Sequence, residues 1–224
     1  METINVITLG NQGVGKTCLI KRITHKPFSD EYQVTIGFNF ECITKNYKNK
    51  SFKSIKYVFW DTSGAEQFNS LAANYIRDKE IVLLVFCDLD TLDSLKERWI
   101  NYYKQYADAN YSKIVVVANK SDTFGDKYEE IRKLGKEFCR DIDSFFVICS
   151  AKSKENIDNL EDHIELESIR LIESRNKNKQ ERPKSIKLEP IHNTTKNTSE
   201  VETKNNHKQT NVKINTTITN KVCC

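Results

Sequence analysis

The sequence has no apolar run longer than the seven residues Ile81–Cys87. A bilayer-crossing helix needs about 20, so no membrane span is expected. Nor is there a C-x-x-C pair or a Cys/His cluster. Five of the seven cysteines stand singly, at Cys18, Cys42, Cys87, Cys139 and Cys149, and the four histidines are far apart. A zinc site is not expected, and free cysteines of this kind suit a reducing, cytosolic setting. The N-terminus opens on a strand-like run, which argues against a signal peptide. A net excess of basic charge is lacking outside the last 48 residues. From Lys177 to Cys224 there are ten Lys/Arg against four Asp/Glu, whereas the rest of the chain carries a net −2. A nucleic-acid-binding domain carries its positive charge on structured elements, so nucleic acid is not an expected partner.

What is present reads as one domain with a tail. Residues 1–175 alternate strand and helix signals. Ile4–Leu9, Phe38–Tyr47, Ser54–Asp61, Ile81–Phe86, Ile114–Ala118 and Phe145–Cys149 read as strands. Several are unbroken apolar runs, as expected of parallel strands covered on both faces. Helices are expected from Gly15 to about His25, along the stripe Leu92, Leu95, Trp99, Tyr102 and Tyr106, along Tyr128, Ile131, Leu134 and Phe138, and from about Glu155 to Glu173. The pattern predicts an α/β fold, a doubly wound, mostly parallel six-stranded sheet with helices on both faces. Residues 176–224 are rich in Asn, Lys, Thr and Ser, hold Pro183 and Pro190, and read as a flexible, disordered tail. Its N-x-[ST] triplets at Asn193, Asn197 and Asn215 stem from composition alone and carry no meaning without a secretory route.

Directly after the first strand stands Gly10-Asn11-Gln12-Gly13-Val14-Gly15-Lys16-Thr17. This is the phosphate-loop pattern G-x-x-x-x-G-K-[ST], in its required place between a strand and a helix. By chance it would arise in on the order of one per cent of chains this long, before the strand is counted. Glycines let the backbone curl round phosphates, and the exposed N–H groups with the helix N-terminus attract anions. Gly10, Gly13, Val14, Gly15, Lys16, Thr17 and Cys18 are the candidate contacts. Lys16 would reach the β- and γ-phosphates, and the Thr17 hydroxyl would hold Mg²⁺.

Three further motifs fall at strand ends, where ligands of such sheets bind. Trp60-Asp61-Thr62-Ser63-Gly64 supplies an acid that could hold Mg²⁺ through water and a glycine N–H for a γ-phosphate. Asn119-Lys120-Ser121-Asp122 and Ser150-Ala151-Lys152 come directly after the two later strands. Taken singly, each has an ordinary reading as a turn or a cap. In this order, within about 170 residues, they resemble the Ras superfamily of small GTPases. The resemblance covers Thr3 to about Ser174. It implies a P-loop GTPase domain that binds GTP/GDP with Mg²⁺ and hydrolyses GTP. It implies guanine reading by Asp122, with Asn119 and Lys120 in support and with Ser150, Ala151 and Lys152 at the base. Phe28 matches the aromatic that lies against the base. Thr35 matches the switch I threonine that meets Mg²⁺ and the γ-phosphate. The implied metal set is Thr17, Thr35 and Asp61, and the implied catalytic set is Lys16, Thr35 and Gly64. Ile36-Gly37-Phe38-Asn39-Phe40, Lys56-Tyr57-Val58-Phe59-Trp60 and the looser Asn74-Tyr75-Ile76-Arg77 resemble the Rab branch, as does the ending Cys223-Cys224.

Two positions depart from the family pattern. Ala65 stands where switch II has its water-orienting Gln, with Glu66 and Gln67 out of register. Gln12 stands where the phosphate loop has a small residue. Its side chain would crowd the γ-phosphate and an incoming arginine finger, worth about 10³–10⁵ in rate or roughly 4–7 kcal/mol. Three outcomes are open: slow intrinsic turnover, which is favoured; rescue by a TBC-type activating protein that brings both Arg and Gln; or water positioning by Gln12 itself. The alternative to a cycling switch is a GTP-bound interaction scaffold with negligible turnover. An ATP-using enzyme is opposed by Asp122.

The ending is not C-a-a-X, because Lys221 is fourth from the end. The resemblance implies prenylation of Cys223 and Cys224, and two chains anchor stably where one is marginal. A flexible tail of this length spans about 40 Å. The expected partners are effectors through switches I and II, an exchange factor, the prenylation machinery and a membrane. The expected place is the cytoplasmic face of a vesicle or organelle membrane, with a cytosolic pool.

Overall fold

The computed structural model describes residues 1–31, 33–48, 52–64, 76–108 and 111–180. Its strands are β1 (Glu2–Leu9), β2 (Phe38–Asn46), β3 (Ser54–Thr62), β4 (Ile81–Phe86), β5 (Lys113–Ala118) and β6 (Phe145–Ile148). They form one sheet in the order β2-β3-β1-β4-β5-β6. Among the described residues only the β2–β3 pair is antiparallel. The winding direction reverses beside β1, so the loop after β1 opens into the crevice where α/β sheets bind ligands.

The unbroken apolar runs divide by parity between two cores. Ile81, Leu83 and Val85 of β4 face one side, with Val115 and Val117 of β5. There they meet Leu19, Ile20 and Ile23 of α1 (Lys16–Ile23) and Ile157, Leu160, Ile164 and Leu171 of α5 (Ile157–Gln180). Val82, Leu84 and Phe86 face the other side, with Val116 and Ala118. That side is covered by α2 (Leu89–Ser94), α3 (Ile100–Tyr106) and α4 (Tyr128–Asp141). The expected doubly wound architecture, with helices on both faces, is therefore the observed one. Helix α5 runs seven residues past its expected end at Glu173. Arg175 in that extension donates to Glu80 at 2.9 Å, a tether with no apolar signature. The polar tail, with Asn193, Asn197, Asn215, Cys223 and Cys224, lies outside the described residues.

One helical stripe is partly turned from its expected face: Leu92, Leu95 and Trp99 are buried as expected, and Tyr102 and Tyr106 pack against the same core only in part. Helix α2 starts on a capping box, with the Thr91 N–H donating to the Asp88 carboxylate at 2.8 Å. A single π-helical turn, Leu95–Trp99, then joins α2 to α3. The extra residue per turn rotates α3 relative to α2. Trp99, Ile100 and Tyr103 are buried, whereas Tyr102 and Tyr106 pair edge to face at 4.8 Å on a half-exposed flank. This rotation aims the Trp99 indole N–H at Asn11 Oδ1, 2.7 Å away. Asn11 Nδ2 donates to Ser94 Oγ at 3.0 Å, so the phosphate loop is held by the π turn and its flank. Replacing Trp99 by Phe leaves a cavity and an unmatched acceptor. We expect the unfolding free energy to fall by about 2–4 kcal/mol in urea titrations.

Candidate nucleotide-binding site

The loop after β1 is closed by contacts that exclude a side chain. Gly10, Gly13 and Gly15 all have positive φ. At Gly15, with φ 93°, a Cβ would also overlap the Asn119 amide. Gly15 leads into α1, whose first residues are Lys16 and Thr17. The Lys16 ammonium is buried beneath the loop and donates to the Gly10 and Asn11 carbonyls, each at 2.9 Å. Burial pushes its pKa down to about 8, with the Asp61 charge pulling the other way.

Below Lys16 three oxygen-bearing side chains converge. Thr17 Oγ1 donates to Asp61 Oδ2 at 2.7 Å, and Thr35 Oγ1 donates to the same oxygen at 3.3 Å. The two hydroxyls are 3.0 Å apart. Asp61 is buried at the end of β3, and its Oδ1 has no hydrogen-bond partner among the described residues. Burial raises the Asp61 carboxyl above its usual range, opposed by the Thr17 bond, the Lys16 charge and the Thr35 bond. Two hydroxyls and a carboxylate with one unmatched buried oxygen suit Mg²⁺, a hard cation that keeps waters and takes phosphate oxygens. The residues present fit that ion.

Gly64 comes just after β3 and packs on the phosphate loop, where a Cβ would overlap the backbone of Asn11 and Gln12. Gln12, Gly13, Gly15, Lys16, Thr17, Cys18, Phe28, Thr35, Asp61, Gly64 and Lys120 all line one cavity of about 590 Å³. Burial pushes the Cys18 thiol pKa up, opposed by the Lys21, Lys120 and Arg22 charges. Ala65, the second departure, lies outside the described residues, as do Glu66, Gln67, Asn74 and Tyr75.

The remaining sequence-selected residues form a polar lattice beside this cavity. Asn119 Nδ2 donates to the Val14 carbonyl at 2.9 Å, and Asn119 Oδ1 accepts from the Ala151 N–H at 3.1 Å. One side chain thus joins the phosphate loop to the 150–152 loop. Lys120 adopts φ 67° and turns the chain into the short 3₁₀ turn Ser121–Thr123. Ser150 Oγ donates to Asp122 Oδ1, and Lys152 forms an ion pair with Asp30 at 3.0 Å.

Sequence reasoning missed three contributors: Asn11 with its Trp99 anchor, Glu155, and Arg22. Glu155 accepts from Ser121 Oγ at 2.7 Å. Asn11 occupies a variable position of the phosphate-loop pattern and the other two stand in no motif, so only the folded chain shows what they do at the site.

A family model described as the Ras family matches residues 5–169. The chain is 37% identical over 163 residues to Ras-related protein Rab-5B of Plasmodium falciparum (isolate 3D7), a match covering 70% of this chain and 73% of that protein. It is 32% identical over 160 residues to Ras-related protein Rab-12 of Homo sapiens, covering 70% of this chain and 63% of that protein. To Ras-related protein Rab-1D of Dictyostelium discoideum it is 31% identical over 155 residues, with 68% and 73% covered.

Proposed function

Because the chain belongs to the Ras family, on its Rab branch, we propose that it is a guanine-nucleotide switch of vesicle trafficking whose intrinsic GTP hydrolysis is slow. The observation that carries this reading is the convergence of the phosphate loop, Thr35, Asp61 and Gly64 on one cavity, with the Asn119–Asp122 and Ser150–Lys152 loops locked beside it. Lys16, now held by two carbonyls, has its three donors placed to turn to phosphate oxygens. When bound, Mg²⁺ would supply charge neutralisation to the phosphates. Thr17 and Thr35 supply hydroxyls on that side, and Asp61 orients them. The Gly64 N–H, against the phosphate loop, is the donor for the γ-phosphate. Asp122 accepts from guanine N1–H and the 2-amino group, which adenine lacks.

Slow turnover rests on Gln12 and Ala65. Gln12 lines the cavity where the loop meets Gly64, so its side chain competes for the space in which water and an arginine finger would align. Ala65 has no polar group to orient that water. Replacing Ala65 by Gln should raise single-turnover GTP hydrolysis about tenfold or more. An unchanged rate would remove Ala65 from the account. The nucleotide copurifying with the wild-type protein gives the companion measurement, GTP for stalled hydrolysis and GDP for ordinary cycling. The place of Gln12 on the cavity wall also favours a second reading, a GTP-bound scaffold. It gains if no hydrolysis is seen even with a TBC-type activating protein.

Effectors would meet an apolar face next to the cavity. Val34, Ile36, Phe38 and Phe40 are exposed, and the Phe38 and Phe40 rings lie 5.9 and 6.1 Å from Trp60. A patch of this kind marks an interaction surface. Ordering of Thr35 by GTP and Mg²⁺ would set its shape, and an exchange factor would reset it by releasing GDP. Among the described residues no helix is long and apolar enough to cross a membrane. We assign membrane attachment, on the cytoplasmic face and with a cytosolic pool, to geranylgeranyl groups on Cys223 and Cys224. The prenylation machinery would add them. The resulting organisation is a GTPase domain over residues 1–175, extended by the last turns of α5, and a tether over 176–224. Intact-mass measurement of protein from its own cells tests the modification.

A further inference from the structure

Arg22 lies on α1 beyond the phosphate loop and in no motif. Its Nε donates to the Ala151 carbonyl at 2.6 Å, and its Nη2 donates to the Lys152 carbonyl at 3.1 Å. Its guanidinium lies 5.2 Å from the centre of the Phe28 ring. One side chain therefore touches both segments assigned to the guanine base. The second contact reaches further. The Lys152 carbonyl and the Ser153 N–H share one planar peptide group, so fixing one directs the other. That N–H donates to Ser150 Oγ at 3.0 Å, and Ser150 Oγ donates to Asp122 Oδ1.

We propose that Arg22 is a positioning residue for guanine recognition. It aims the Asp122 carboxylate through the Lys152–Ser153 peptide and Ser150, and it backs the Phe28 ring on the other side. The inference rests on the guanine reading of the site. Arginine is suited to the task because its planar fork makes two parallel bonds while its face stacks on an aromatic ring; lysine offers a single point charge. The other bridge over the same opening, Lys152 to Asp30, is largely exposed. Exposed pairs of that kind contribute little and are screened by salt. Arg22 is half-buried, and although its bond to the Lys152 carbonyl is exposed, its bond to the Ala151 carbonyl is part-buried, so it is the better shielded of the two closures.

The test is the release rate of GDP and of inosine 5′-diphosphate, which lacks the 2-amino group, from wild type, Arg22→Ala, Arg22→Lys and Asp30→Ala. Release is monitored by displacement of fluorescently labelled nucleotides with excess unlabelled GDP. Arg22→Ala should speed GDP release on the order of 10- to 100-fold. It should also shrink the preference for GDP over inosine 5′-diphosphate, because a misaimed carboxylate no longer reads the 2-amino group. Arg22→Lys should fall between, and Asp30→Ala should change release by less than about threefold. A general loosening of the fold would speed both nucleotides equally, so an unchanged preference overturns the proposal, as does unchanged release. Arg22→Lys keeps the positive charge and serves in the same test if the alanine variant does not fold. Failure of the guanine reading itself looks different: the wild-type protein would then show no preference for GDP over ADP.

Discussion

Replacing Asp122 by Asn is expected to lower GDP and GTP affinity on the order of 10²–10⁴-fold, with the folded structure kept. The carboxylate stands on the short turn after β5, aimed by the Ser150 hydroxyl. Toward guanine it offers two acceptor oxygens to two donors, N1–H and the 2-amino group. Charge-assisted bonds of this kind are each worth about 1.5–3 kcal/mol, and about 1.4 kcal/mol is a factor of ten. Asn turns one acceptor into a donor, so one bond is lost and a donor faces a donor. The same reversal gives a positive readout. Xanthosine 5′-diphosphate carries an oxygen in place of the 2-amino group, and it should bind the Asn variant better than it binds wild type. Isothermal titration with both nucleotides measures the crossover. If guanine affinity is unchanged, Asp122 does not read the base. Stability should move little, because Asp122 is exposed and Asn can still accept from Ser150.

The sheet and the phosphate end of the site are legible in the sequence for a physical reason. Parallel strands covered on both sides are apolar throughout, so Ile81–Phe86 and Ile114–Ala118 mark themselves without regard to neighbours. Lys16, Thr17 and the loop glycines lie within eight consecutive residues, where local geometry dictates chemistry. The π turn at Leu95–Trp99 is not legible, because one added residue changes no local preference. It is selected by what Trp99 gains from Asn11, a partner 88 residues away. Arg22 is hidden for the same reason, since its two carbonyl acceptors are backbone atoms some 130 positions on. The last turns of α5 lack an apolar stripe. The Arg175–Glu80 contact that reaches into them, at 2.9 Å, spans 95 residues. Periodicity sees burial; it does not see a polar side chain recruited by a distant backbone.

Asp61 gives the second large expectation, with opposite signs for stability and for function. Without nucleotide it is a buried carboxylate that accepts from Thr17 and Thr35 through Oδ2, while Oδ1 has no partner among the described residues. An ionised oxygen in that position costs free energy. Its raised pKa states the same thing by linkage. A folded state that holds the proton more tightly than the unfolded chain is favoured at low pH. It loses that advantage as pH rises from the usual carboxylate range through the raised value. Asp61→Asn removes the charge and keeps an oxygen for the threonines. The nucleotide-free protein should then be more stable at pH 7 by about 1 kcal/mol or more, with the gain shrinking toward pH 4. Lys16 loses a favourable neighbour in the same variant, which subtracts from that gain. Function should move the other way. Residues that orient metal ligands are typically worth 10–100-fold in metal affinity, so Mg²⁺ should no longer slow nucleotide release. Release rates measured with Mg²⁺ and with EDTA should differ widely for wild type and converge for the variant. Thermal unfolding of the nucleotide-free proteins reads the stabilising half. A variant that is destabilised and still senses Mg²⁺ would show that Asp61 is a structural anchor for switch I and not part of a metal site.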